Sequence, residues 1–183
     1  MIEEIKRAGR CNTGLTEAQR LRGVMMDVEP YQTAQWTGDK DGVMASFTAA
    51  MIKARQASEQ ASLQLIACIP YFLDEKGQEK RLAELTAEGC HALAVMNYNK
   101  KDEARQLQLE ASLAAANEKP LVMIYELQAP GKHDLTERNT YYHDGLAGVA
   151  ASWSTLLQQV ECRQFSYALH DYEALKEVVG HAQ

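Results

Sequence analysis

Asp27 and Glu29 stand two residues apart where the apolar run Gly23-Val24-Met25-Met26 gives out. On an extended strand alternate side chains point the same way, so the two carboxylates share a face and lie close together. Neighbouring carboxylates resist double ionisation, which keeps a proton on one of them near neutral pH and supplies a general acid. Three further apolar runs end in groups of similar chemistry. Asn97 and Tyr98 close residues 92–96, Glu126 closes 121–125, and His170 with Asp171 closes 165–169. A lone acidic residue at a strand end has a second reading, a salt bridge to a neighbouring loop. Four such ends in one chain point instead to a site for acid–base work.

The elements that must position these residues follow from the apolar pattern. Runs at 23–28, 63–69, 92–96, 121–125 and 165–169 are rich in Val, Ile, Leu, Met or aromatics and have the length of strands buried on both faces. Helical patterns lie between them at 45–60, 79–88, 102–117 and 146–161, with a closing helix at 171–179 and a short one at 2–10. Residues 37–42 read as a turn, and Gly89 as the C-cap of the helix before it. Strands alternating with helices imply βα units on a parallel sheet, hence an α/β fold. A doubly wound sheet would place a Gly-rich turn after its first strand, whereas Asp27-Val28-Glu29-Pro30-Tyr31 holds no glycine. A (β/α)₈ barrel places its catalytic side chains at the C-terminal ends of several strands, which is the pattern seen. The expectation is one domain over residues 1–183: a partial (β/α)₈ barrel of five parallel strands alternating with helices.

Arg22-Gly23-Val24-Met25-Met26-Asp27-Val28-Glu29 resembles the fourth-strand signature of the family-18 chitinases, written D-G-x-D-x-D-x-E. Gly23, Asp27 and Glu29 match it, while Arg22 and Met25 stand where the family has acidic residues. Val95-Met96-Asn97-Tyr98-Asn99 resembles the family's sixth strand with its Met-x-Tyr ending, and one further run lies between the two. The resemblance implies barrel strands four to eight, with Glu29 as the general acid. It also implies that Asp27 orients the substrate's N-acetyl group, itself the nucleophile, and that Tyr98 hydrogen-bonds that group. At the end of the last strand His170-Asp171-Tyr172 replaces the family's Trp.

A second resemblance uses the same acid. Val28-Glu29-Pro30 is similar to the Asn-Glu-Pro of retaining barrel glycosidases of the cellulase type, with Val28 in place of the Asn. It implies Glu126 as the nucleophile, since two-carboxylate hydrolysis needs only that pair. Tyr31 and Trp36 follow the first strand and are candidates to stack on a sugar ring or to pack under a loop. Asn97, His170 and Asp171 complete the candidate substrate contacts, and Asp27, Glu29, Tyr98, Glu126 and His170 are expected to line one cleft. A metal held by His170, Glu126 and Asp27 is the alternative reading, but no HxH or HExxH spacing supports it and no cofactor is expected. His91 reads as structural, His133 and His143 as solvent-facing, Trp153 as core, and Tyr141 and Tyr142 as packing residues. The non-enzyme reading is an inactive carbohydrate-binding or assembly module.

Bulk properties bound the partners. A net charge of -6 argues against a surface built to neutralise phosphates, so carbohydrate rather than nucleic acid is the expected partner. No apolar run reaches the roughly 20 residues of a membrane span. Residues 1–10 are charged and lack the apolar core of a signal peptide, so a cytoplasmic location is expected as encoded, although the family's members are often secreted. Cys11, Cys68, Cys90 and Cys162 form no CxxC pair, and Cys68 reads as a buried inert thiol. Three of a barrel's eight strands have no counterpart here, so a truncated barrel with two open apolar edges is expected. Self-association into a homodimer would cover them.

Overall fold

The computed structural model describes residues 1–74 and 77–180. Five parallel strands form one sheet and alternate with helices, an α/β arrangement. They are β1 (Gly23–Asp27), β2 (Gln64–Pro70), β3 (Ala92–Met96), β4 (Leu121–Glu126) and β5 (Phe165–His170), ordered β1-β2-β3-β4-β5. Each begins within a residue of its apolar run. The chain divides into two compact units, residues 1–69 with 73–93 and residues 70–72 with 94–183.

In the first unit β1 pairs in parallel with β2, Asp27 standing opposite Cys68. Helix α1 (Ile2–Cys11) buries Ile5, and α2 (Lys40–Gln60) buries Met44, Phe47 and Met51. α2 starts five residues before its apolar pattern does, because the Asp39 side chain accepts from the Gly42 N–H at 2.8 Å and caps the turn. The expected turn at 37–42 is therefore partly the first turn of that helix. The expected helix at 79–88 divides into α3 (Glu79–Glu84) and a wider π turn over Leu85–Gly89. A Cβ on Gly89 would meet the Leu85 side chain at 2.8 Å, so this glycine serves close packing rather than a left-handed cap.

In the second unit β4 pairs in parallel with β5, placing Glu126 opposite His170. The expected helix at 102–117 is two helices, α4 (Glu103–Gln106) and α5 (Gln108–Ala116), parted at the buried Leu107 by a tightened turn, its N–H bonded to the Ala104 carbonyl. α6 (Gly145–Gln159) and α7 (Tyr172–Gly180) follow. Trp153 of α6 is half-buried rather than in the core; its ring lies 4.7 Å from Phe165 and 4.9 Å from Tyr167.

All five residues of β3 are buried, and β2 and β4 nearly so. β1 and β5 are not buried on both faces as their apolar composition suggests. They end the strand order, and Met25 stays 47 % and Tyr167 45 % exposed.

Candidate functional site

Within the first unit, Asp27 ends β1 exposed and Glu29 follows it half-buried. The chain turns at once into a one-turn helix at Pro30–Gln32, proline filling a first position where no N–H is needed. That turn carries Tyr31 and Gln32 back over Glu29: the Tyr31 hydroxyl donates to Oε1 and the Gln32 side-chain amide to Oε2. Burial, then the hydrogen bond and charge of Glu29, with a smaller push from Asp27, raise the Tyr31 hydroxyl well above its ordinary range. The Cys68 thiol is pushed up to about 12 by burial, helped by the charges of Asp27 and Glu29, so it is inert as expected. Trp36 packs under its loop at 8 % exposure and so presents little face to a ring in solvent.

Within the second unit, Glu126 ends β4 at 3 % exposure with both oxygens engaged. Oε1 accepts from the Gln128 N–H at 2.8 Å, and Oε2 lies 3.0 Å from His170 Nδ1. The Gln128 side-chain nitrogen reaches the same His170 nitrogen at 3.3 Å. His170 remains 46 % exposed, and its ring lies tilted 6.3 Å from that of Tyr98. A buried carboxylate behind a half-exposed imidazole fixes the ring's orientation. The pair is thus equipped to bind and orient a polar ligand or move a proton.

The loop from 128 to 144 returns to pin this strand end. The Tyr141 N–H and the Thr140 hydroxyl both donate to the Glu126 carbonyl, at 2.8 and 3.2 Å. The Asn139 side chain reaches the Tyr98 carbonyl at 2.8 Å, holding the end of β3 as well. Asn97 is buried; its amide donates to the Glu103 carbonyl at 3.0 Å, and its Oδ1 meets no partner among the described residues. Asp171 caps α7 by accepting from the Ala174 N–H at 2.8 Å, a bond that lowers its carboxyl below the usual value. Beyond the strand ends, Glu103 accepts from the hydroxyls of Tyr141 (2.8 Å) and Ser152 (2.6 Å), and burial raises its pKa.

Each unit gathers its own share of the candidates: Asp27, Glu29 and Tyr31 in the first, Tyr98, Glu126 and His170 in the second. Gln128, Thr140 and Glu103 do not stand out in the sequence. Only Gln128 carries a signal there, standing two residues beyond Glu126. His133 and His143 are solvent-facing, and His91 is structural, its Nδ1 accepting from the Leu65 N–H at 2.9 Å. Among the described residues no group of three or more His, Cys, Asp and Glu side chains is arranged to hold a metal, and no helix is long and apolar enough to cross a membrane. No protein-family model and no curated protein matches the chain.

Proposed function

We propose that the chain acts on or binds an oligosaccharide in the manner of a glycoside hydrolase, its five strands corresponding to strands four to eight of a (β/α)₈ barrel. What carries the reading is the placement of Asp27, Glu29, Tyr98, Glu126 and His170 at or just past the C-terminal ends of parallel strands, where barrel enzymes keep their chemistry. Glu29 is the general acid and protonates the departing glycosidic oxygen. Asp27 orients the substrate's N-acetyl group, whose oxygen attacks the anomeric carbon, and Tyr98 hydrogen-bonds that amide. In the two-carboxylate variant of the reading Glu126 makes the attack instead. Tyr31, Trp36, Asn97, His170 and Asp171 are the substrate contacts, with Asn97 and Trp36 the least available of them because both are buried.

The test is turnover of fluorogenic chito- and gluco-oligosaccharides by the wild-type chain and by Glu29→Gln. Loss of a general acid costs about 10²- to 10⁴-fold in rate. Turnover that survives Glu29→Gln unchanged would remove Glu29 from its role. A second reading, an inactive carbohydrate-binding or assembly module, draws on the engagement of both Glu29 oxygens by Tyr31 and Gln32. Saturable oligosaccharide binding without turnover would favour its carbohydrate-binding form, and neither binding nor turnover would overturn every carbohydrate role.

A further inference from the structure

The strand order ends on β5, and the hydrogen bonds of that strand say which of its groups face outward. The carbonyls of Gln164 and His170 accept from the N–H groups of Leu121 and Leu127, at 2.9 and 2.7 Å. N–H and C=O of one strand residue point to the same side, and the side alternates along the strand. Gln164, Ser166, Ala168 and His170 therefore turn their backbone groups to β4. Phe165, Tyr167 and Leu169 turn theirs the other way, where the order holds no further strand. The strand has no proline or lysine to discourage pairing. The side chains of Phe165 and Tyr167 lie on Trp153. Leu157, one helical turn on from Trp153, is 55 % exposed.

We propose that a second copy of this chain covers the edge, β5 pairing antiparallel with its own equivalent about a twofold axis at Tyr167. Three features select this occupant and this register. First, outward backbone groups meet only if odd-numbered residues oppose odd-numbered ones, which the centre at Tyr167 achieves: Tyr167 faces itself and Phe165 faces the partner's Leu169. Second, the same parity continues the helix-covered face of one copy into that of the other, so the two Trp153–Phe165–Tyr167 clusters adjoin. Third, the exposed Arg163 precedes the strand and Asp171 follows it, so antiparallel pairing sets the basic end of one copy beside the acidic end of the other. A closed twofold needs such self-complementarity. The pairing also sets the partner's Gln164 opposite His170 on the face that carries the Glu126–His170 pair. The second copy thus adds a carboxamide beside that imidazole, whatever ligand the pair takes.

Sedimentation velocity of the full chain at low micromolar concentration should give a particle of twice the 20.4 kDa chain mass. Tyr167→Pro removes the central N–H at a position where an edge strand tolerates proline, and should leave a folded monomer. Tyr167→Lys, which opposes two like charges, should do the same and decides the matter if the proline variant does not fold. Met25→Lys on the β1 edge should leave the dimer intact. The register is read separately with Tyr167→Cys in a chain carrying Cys11→Ser and Cys162→Ser. Facing residues of a hydrogen-bonded antiparallel pair stand about 5.5 Å apart, within the disulfide range, so oxidation should link the copies. A wild-type monomer, a dimer that survives both folded Tyr167 variants, a dimer lost in Met25→Lys, or a dimer that does not cross-link would each overturn the proposal.

Discussion

Glu126 shows how much one buried carboxylate holds in place. Replacing it with alanine deprives the Gln128 N–H of its acceptor, a loss worth about 1–3 kcal/mol when a buried donor goes unsatisfied. Glu126→Gln keeps an acceptor for that N–H while removing the charge. We therefore expect urea unfolding to separate them, Glu126→Ala losing clearly more than Glu126→Gln; equal losses would mean that the Gln128 bond contributes nothing. Glu103 behaves differently, because burial raises its pKa above the ordinary 4.5. A carboxyl raised on folding gives stability that is fully present below its unfolded value and lost as pH rises through the folded one. Glu103→Gln should accordingly flatten the stability profile above about pH 4.5 and show its relative benefit near neutrality. An unchanged slope of unfolding free energy against pH in the variant would refute this. Asp27, Glu29, Glu126 and His170 are legible as candidates because strand ends are visible in an apolar pattern. Gln128 meets Glu126 locally, whereas Thr140 and Glu103 meet their partners through the return of residues 128–144, whose path no local pattern encodes.

Buried faces make the elements legible, and the legibility fails where polar residues begin or divide them. α2 begins at Lys40, not at its first apolar turn, because Asp39 caps it. The break at Leu107 and the π turn at Leu85–Gly89 carry no mark in helical periodicity, which therefore predicts a single helix in each place. The cap makes a sharp prediction. A Cβ on Gly42 would occupy the space of the Asp39 carboxylate, so Gly42→Ala gains helix propensity only by expelling its own cap. Losing the cap costs about 1 kcal/mol and replacing a helical glycine with alanine gains about 0.5–1 kcal/mol. Gly42→Ala should therefore be neutral or destabilising in the wild type and stabilising once Asp39→Ala has removed the cap. A double-mutant cycle in urea checks it: a coupling near zero means that the two side chains do not compete.

For the whole molecule, the alternation that positions the strand-end groups also sets which amides are sheltered. β3, buried throughout, should exchange its amide hydrogens most slowly, since such amides open only with the largest cooperative units. At the β1 edge the Gln64 N–H donates to the Arg22 carbonyl, so even-numbered residues face β2 and Met25 turns its N–H outward. β5 has the same alternation, with Ser166 and Ala168 facing β4 and Phe165, Tyr167 and Leu169 facing out. In dilute solution Ser166 and Ala168 should be protected while the three outward residues exchange fast. If β5 pairs with itself, raising the protein concentration should slow Phe165, Tyr167 and Leu169 and leave Met25 fast, because mass action protects only the edge that is covered. Residue-resolved exchange by NMR across a dilution series reads both edges at once. Fast exchange at the three β5 positions at every concentration would leave that edge bare. Slow exchange at every dilution in the Tyr167→Lys variant, sedimenting as a monomer, would mean that something within the single copy covers it.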